Sequence, residues 1–182
     1  HLANSLNKVI NSGGSVLIPV FSLGKMQEIL ATILHLMKKN KVANVDIYTG
    51  GIGKKINRVY DYNRFVLNYN QPEIIMHDLP QKSIRDVNNS DEFFKFPSIV
   101  LASSGMMIEL TISFTLEKRW LKQKGSAIFT VGYMDEDTPG YIIANSKKGE
   151  KINLTDFDKK TEIKCEIKNF SFSAHSKREE LL

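Results

Sequence analysis

The stretch SVLIPVF, Ser15 to Phe21, decides the fold class of this sequence. Its apolar residues are consecutive and do not alternate with polar ones, which is typical of a strand covered on both faces in a parallel sheet. The next stretch, SLGKMQEILATILHLMKKN, has apolar residues at helical spacing and ends in a basic turn. We therefore predict a buried β-strand followed by an amphipathic helix.

The same order of apolar strand, small-residue turn and helix recurs along the chain. Further strands are predicted at NVDIYTGG (44–51), PSIVLASSG (97–105) and SAIFTVGY (126–133). Strands that alternate with helices at these lengths are joined by crossover connections, which place neighbouring strands in parallel. The sequence therefore predicts an α/β fold with a mainly parallel sheet flanked by helices.

The C-terminal part of the chain follows a different pattern. EKINLTDFD (150–158) and TEIKCEIKNFSF (161–172) alternate between polar and apolar residues, with Ile163, Cys165 and Ile167 on one face. Alternation with a period of two is typical of antiparallel strands that have one solvated face. We therefore predict a C-terminal antiparallel hairpin.

The composition excludes several classes of protein. The 182 residues include one cysteine, so an internal disulfide and a multi-cysteine zinc site are both excluded. No apolar run is long enough to span a bilayer, and we expect a soluble, cytoplasmic protein without a membrane partner. The formal net charge of +5 slightly favours nucleic acid over other partners.

Candidate binding residues lie where the predicted strands end. Ligands of open α/β sheets bind outside the carboxyl ends of the strands. In this sequence those ends are PVFSLGK, IYTGGIGKK, LASSGMM and TVGYMDEDTPG, in which small residues allow close approach and Lys25, Lys54 and Lys55 follow two of the turns. None is a Walker A loop or a GxGxxG motif. We predict a groove for phosphates and no nucleotide cofactor.

The chain has four histidines, and none has HxH, HxxxH or HExxH spacing. The sequence therefore predicts no zinc site made by this chain alone. His175, in SFSAHS, follows the last strand-like run. An imidazole there is a candidate proton donor, a candidate metal ligand or an ordinary loop residue.

Five motifs, in one order, resemble the β-CASP region of metallo-β-lactamase proteins that process nucleic acids. They are GGSVLIPVFSLGKMQEIL, IYTGGIGKKINRVYD, VLASSGMM, GYMDEDTPG and FSFSAHS. The group includes the endonuclease subunit that cuts pre-mRNA ends and related ribonucleases. The likeness extends from Leu2 to Leu182.

The resemblance implies that residues 1–149 form a β-CASP domain, inserted into a metallo-β-lactamase domain whose active-site cleft it roofs. Residues 150–182, with the hairpin, would begin the return to that second domain. We expect a fragment of a longer protein, because the chain begins without Met and ends after SFSAHS, one motif short of the family's next histidine motif. The resemblance also implies two zinc ions in the parent protein, with ligands mostly outside this chain, and no activity of the fragment alone.

The resemblance assigns roles to individual residues. His175 takes the place of the histidine of the family's motif B, and we expect it to be the general acid that protonates the leaving oxygen. The substrate-binding residues that the resemblance implies are Lys25, Ser103, Ser104, Gly105, Gly132 and Thr138. They would hold the phosphates of single-stranded RNA without reading its bases.

Several residues depart from the family's usual motifs. Lys25 replaces an arginine, so a single ammonium stands in place of a bidentate fork. Tyr141 stands where a basic residue is usual, and Asp135–Asp137 add negative charge near the expected groove. Lys177 replaces an acidic residue that could orient the histidine.

The resemblance thus implies the β-CASP portion of a zinc-dependent hydrolase that cleaves RNA phosphodiester bonds. Two alternatives stay open: a catalytically weakened scaffold or RNA-binding partner, and a metallohydrolase for a small non-RNA substrate. The partners implied are single-stranded RNA and the metallo-β-lactamase domain of the same parent chain. A homodimer also stays open.

Overall fold

The computed structural model describes residues 1–50, 52–66, 75–155 and 159–172, so His175 and Lys177 lie outside the described residues. The helices are α1 (Leu2–Asn11), α2 (Lys25–Lys38), α3 (Ile52–Tyr62), α4 (Ile112–Trp120) and α5 (Pro139–Ala144). The strands are β1 (Val16–Pro19), β2 (Asp46–Thr49), β3 (Lys82–Ser83), β4 (Ser98–Ala102), β5 (Ala127–Thr130), β6 (Lys151–Ile152), β7 (Thr161–Glu162) and β8 (Glu166–Asn169). Two 3₁₀ turns span Ile84–Asp86 and Ser90–Phe94. Within these ranges no helix is long and apolar enough to cross a membrane.

Six strands form one sheet in the order β3-β2-β4-β1-β5-β8. β1 lies inside this sheet, where Val16 is paired with Ile99 of β4 and with Ala127 of β5. Every neighbouring pair in the sheet is parallel. The predicted α/β fold with a mainly parallel sheet is therefore confirmed, and SVLIPVF supplies one of the central strands.

The two faces of the sheet are covered by two separate apolar cores. Val16 and Ile18 pack with α1 and α2 on one face. Leu17 packs with α4 and α5 on the other face. All three side chains have 0% of their surface exposed. The unbroken apolar run follows from this arrangement, because successive residues of a strand point to opposite faces and both faces here are dry.

Ser15 joins several elements at the edge of the sheet where the strands begin. Its hydroxyl donates to the Phe93 carbonyl at 2.5 Å and accepts from the backbone N–H of Ser98 at 3.0 Å. Its carbonyl accepts from the indole N–H of Trp120 at 3.2 Å. Ser15 and Trp120 are both buried. These bonds hold the start of β1 against β4, α4 and the second 3₁₀ turn.

The prediction for the C-terminal part is confirmed only in its first half. β6 and β7 form the antiparallel pair, but each is two residues long. The prediction of one continuous second strand is wrong, because the chain bends at residues 163–165 and β8 then joins the main sheet parallel to β5. Ile163 and Cys165 are fully buried in the second core, and this burial directs the chain away from the hairpin.

The single cysteine belongs to this core. Burial is the main cause that raises the pKa of the Cys165 thiol to about 12. The thiol therefore stays protonated at neutral pH, and a protonated thiol is a poor nucleophile and a poor metal ligand.

We predict that Ser15→Ala lowers the free energy of unfolding by about 1–3 kcal/mol, because the buried N–H of Ser98 loses its acceptor. The measurement is urea denaturation followed by circular dichroism. The matched control is Ser12→Ala. Ser12 is exposed, and its hydroxyl donates only to the Val9 carbonyl, at 2.8 Å. Equal, small effects of the two substitutions would contradict the role given to Ser15.

Candidate functional site

The carboxyl ends of the six parallel strands lie at one edge of the sheet, which we call the carboxyl edge. The loops that follow β1, β5 and β8 enclose a groove of about 600 Å³ there. We call it the edge groove. Its lining includes Phe21, Lys25, Thr130, Gly132, Tyr133, Tyr141, Asn169 and Phe172. Its position agrees with the rule that ligands of open α/β sheets bind outside the strand ends.

The Phe21 ring packs against the turns that follow β4 and β5, at the edge groove. A Cβ atom added to Gly105 would lie 2.9 Å from Phe21 Cδ2 and 3.1 Å from the Phe21 backbone nitrogen. A Cβ atom added to Gly132 would lie 3.5 Å from Phe21 Cε2. The absence of a side chain at Gly105 is therefore what lets the β4 turn close on the aromatic ring.

The two predicted serines stabilise the turn after β4. The Ser104 hydroxyl accepts from the Ile108 N–H at 3.1 Å, and the Ser104 carbonyl accepts from the Ser113 hydroxyl at 2.7 Å. The Ser103 carbonyl accepts from the Ser113 N–H at 3.0 Å. Both serines are half-buried beside the edge groove rather than among its lining residues.

Thr138 also has a structural bond network. Its hydroxyl donates to the Asp135 carbonyl at 2.6 Å and, as the N-cap of α5, accepts from the Tyr141 N–H at 3.3 Å. The N–H of Gly140 donates to the Met106 carbonyl at 3.0 Å. The turns after β4 and β5, which carry all the predicted substrate-binding residues except Lys25, are thereby held together.

Lys25 lies on the groove wall, but its ammonium group already has partners. Only 6% of the residue is exposed. Its Nζ donates to the Glu28 carboxylate at 2.6 Å and to the Phe172 carbonyl at 3.0 Å. Phe172 precedes His175 by three residues in the sequence. In this arrangement Lys25 fixes the chain just before the SAHS segment.

Sequence analysis missed the aromatic and amide side chains of the groove. Phe21, Tyr133 and Phe172 each follow the end of a strand and line its wall. Asn169 accepts from the Thr130 hydroxyl at 2.7 Å and donates to the Ala144 carbonyl at 2.7 Å, which holds β8 in place. The sequence clue to these rings is an aromatic residue directly after each of PV, TVG and NFS.

The described residues do not include a metal centre. Within residues 1–50, 52–66, 75–155 and 159–172, no group of three or more His, Cys, Asp or Glu side chains is placed to hold a metal ion. His175, the predicted catalytic residue, lies outside the described residues. The described lining of the edge groove supplies aromatic rings, amides and one ammonium group, which can bind and position a ligand.

Residues 26–143 match the family model of the Beta-Casp domain. The chain belongs to the Beta-Casp family. This agrees with the resemblance seen in the sequence motifs, and it covers the turns after β2, β4 and β5. The Beta-Casp match ends before β8, which completes the edge groove.

Curated relatives of this Beta-Casp chain are named as an RNase J-like protein, an endoribonuclease and a transcription termination factor. It is 29% identical to an RNase J-like protein of Methanocaldococcus jannaschii, over 96% of this chain and 40% of the relative. It is 29% identical to the endoribonuclease ysh1 of Schizosaccharomyces pombe, over 96% of this chain and 23% of the relative. It is 29% identical to the transcription termination factor FttA of Methanothermobacter thermautotrophicus, over 100% of this chain and 30% of the relative. The chain thus spans less than half the length of each of these relatives.

We predict that Gly105→Ala lowers the free energy of unfolding by about 1–3 kcal/mol, because the new methyl group overlaps the backbone and ring of Phe21. Gly132→Ala is the control, since its methyl group would make ordinary contact, and its effect should stay within about 0.5 kcal/mol. Chemical denaturation of both variants measures the difference. A Gly105→Ala protein as stable as the control would mean that the two turns do not close on Phe21.

Proposed function

We propose that this chain is the Beta-Casp portion of a zinc-dependent metallo-β-lactamase-fold hydrolase that cleaves RNA phosphodiester bonds. In this proposal residues 1–149 form the substrate-binding roof of the active-site cleft, and residues 150–182 lead back into the metallo-β-lactamase domain. Support comes from membership of the Beta-Casp family and from relatives named as an endoribonuclease and an RNase J-like protein. The 182-residue chain alone is not expected to cleave RNA.

The observation that carries the proposal is the edge groove at the carboxyl ends of β1, β5 and β8. Aromatic rings such as Phe21 and Tyr133 offer flat surfaces on which bases can stack without sequence preference. Gly132 lets a sugar–phosphate backbone approach the main chain closely. This combination of rings and accessible backbone suits single-stranded RNA.

The zinc ions are proposed to be held by the metallo-β-lactamase domain of the same parent protein. The described residues of this chain do not provide a ligand set for them. Ser103, Ser104, Gly105, Gly132 and Thr138 are proposed to hold the RNA phosphates, directly or through the backbone of the turns that they stabilise.

His175 is proposed to be the general acid that protonates the departing ribose oxygen. A positioned imidazole performs this task efficiently near neutral pH. Lys25 supports the proposal, because its ammonium group donates to the carbonyl of Phe172 at 3.0 Å, three residues before His175 in the sequence. We therefore propose Lys25 as a positioning residue; the alternative is a direct contact with an RNA phosphate, although Glu28 already neutralises the ammonium group.

The test is cleavage of an end-labelled single-stranded RNA by the full-length parent protein. We expect His175→Ala to lower the cleavage rate by about 10²–10⁴-fold at matched zinc content, because the leaving oxygen loses its proton donor. His35→Ala, on the exposed face of α2, is the control and should cleave like the wild type. An unchanged rate for His175→Ala would remove its catalytic role, and no cleavage by the wild type would favour the scaffold alternative or a small substrate.

The same assay separates the two roles of Lys25. Lys25→Met keeps the apolar stem but cannot bond to Glu28 or Phe172. If Lys25 positions the SAHS segment, the cleavage rate at saturating RNA falls by about 10- to 100-fold while the Kd for RNA changes little. A higher Kd with an unchanged saturated rate would instead make Lys25 a direct phosphate contact.

A further inference from the structure

A second feature of the carboxyl edge lies away from the edge groove, at the ends of β2 and β3. A depression of about 260 Å³ there is lined by Lys54, Lys55, Arg58, His77 and Arg85. These residues come from three separate segments: α3, the turn at residues 76–78, and the 3₁₀ turn after β3. We call Lys54, Lys55, Arg58 and Arg85 the basic cluster.

The basic cluster lacks counter-ions within the described part of the chain. Other cations there do pair with carboxylates, as Lys82 does with Asp46 at 2.6 Å and Lys148 with Glu166 at 3.4 Å. None of the four side chains of the basic cluster has a carboxylate within 4.0 Å among the described residues. Positive charges that converge without neutralisation create a local potential that attracts anions.

The place of Lys54 and Lys55 at the start of α3 also favours an anion at the basic cluster. Lys54 and Lys55 lie in the first turn of the helix, which contains no acidic residue. The N-terminus of a helix carries partial positive charge, so cations there are unfavourable and an anion is favourable. By contrast, the first turn of α2 has Glu28, which pairs with Lys25 at 2.6 Å. An anion bound at the basic cluster would relieve the repulsion.

Size and donor type indicate which anion fits. The depression of about 260 Å³ is smaller than the roughly 300–1,000 Å³ typical of small-molecule pockets. Lysine ammonium groups bind phosphates as point charges, and arginine binds them through paired N–H groups. Lys55, Arg58 and Arg85 are exposed, so an extended strand can reach them from solvent. The donor set suits backbone phosphates rather than a buried cofactor.

The basic cluster and the edge groove lie on the same edge of the sheet. In the strand order, β2 is separated from β5 by β4 and β1. Because neighbouring strands are about 4.8 Å apart, the two sites are on the order of 14 Å apart, with the Ser103–Gly105 turn of β4 between them. One flexible strand of nucleic acid could contact both.

We propose that the basic cluster is a second binding site for RNA, in which Lys54, Lys55, Arg58 and Arg85 hold backbone phosphates of the same strand that occupies the edge groove. The inference rests on the proposed function for the identity of the strand. It adds a site that contributes affinity without reading sequence, because the contacts are to phosphates only.

The test compares two triple variants of the full-length parent protein. The first, Lys54→Gln/Lys55→Gln/Arg58→Gln, removes three charges of the basic cluster. The second, Lys38→Gln/Lys39→Gln/Lys41→Gln, removes three exposed charges at the far end of α2, where the strands begin. Both change the net charge by the same amount. Binding of a fluorescent single-stranded oligoribonucleotide is measured by anisotropy at several salt concentrations.

We expect the first variant to raise the Kd about tenfold near 0.1 M salt and the control to change it little. The slope of log K against log salt should fall by about 2 in the first variant, since each lost phosphate contact on a single strand contributes about 0.7. The first variant should melt at or above the temperature of the wild type, because like charges have been removed from a helix N-terminus. Weaker binding with a lowered melting temperature would overturn the inference, since misfolding would explain it.

The outcomes distinguish this inference from the proposed function. If the two variants bind RNA with equal affinity and equal salt slopes and still cleave it, the basic cluster is not an RNA-binding site. The nuclease proposal would then be unaffected. Loss of affinity only in the first variant, in a protein that does not cleave RNA, would support the basic cluster and overturn the nuclease proposal. A wild type that does not bind RNA would overturn both.

Discussion

The burial of β1 on both faces is the constraint on which the rest of the structure depends. Val16 and Ile18 face one apolar core, Leu17 faces the other, and β4 and β5 pair with the strand on its two sides. Crossover connections join the strands of this sheet, and every neighbouring pair runs in the same direction. All the carboxyl ends consequently meet at one edge, and that edge collects the residues that can bind a ligand.

The carboxyl edge is divided between two kinds of surface. The end near β1, β5 and β8 is lined by aromatic rings and amides. Lys25 is the one cation among the described lining residues, and Glu28 neutralises it. The end near β2 and β3 carries the basic cluster, which has no carboxylate partner in the described ranges. Stacking surfaces at one end and unneutralised charge at the other are complementary to the bases and phosphates of one strand. Hydrogen bonds of Ser103, Ser104 and Thr138 hold the turns after β4 and β5 along this edge.

The sequence predicted the central part of the fold correctly because its strands are unbroken apolar runs followed by helices of regular period. It failed at residues 163–165, where alternation with a period of two continues although the chain changes partner. The alternation reports which side chains are buried, as Ile163 and Cys165 are, but it does not report which strand lies alongside. The two-residue strand β3 was not predicted because so short a segment has no periodicity.

The sequence predicted which turns form the candidate site, but it did not predict the contacts that each side chain makes there. It placed Lys25 at the groove, but the contact of its ammonium group with the Phe172 carbonyl depends on tertiary packing between residues 147 positions apart. Arg85 could not be assigned to the basic cluster from its local pattern, because its neighbours Lys54 and Arg58 come from another segment. His175 lies outside the described residues, and its role stays a prediction.

The claim that RNA binds along the carboxyl edge is tested most directly by photocrosslinking. Single-stranded RNA that contains 4-thiouridine is irradiated with the full-length parent protein, and the crosslinked peptides are identified by mass spectrometry. The account predicts crosslinks in peptides that contain Phe21, Tyr133 or Phe172, whose rings line the edge groove. Crosslinks confined to the opposite edge, around residues 13–15 and 125, would contradict it.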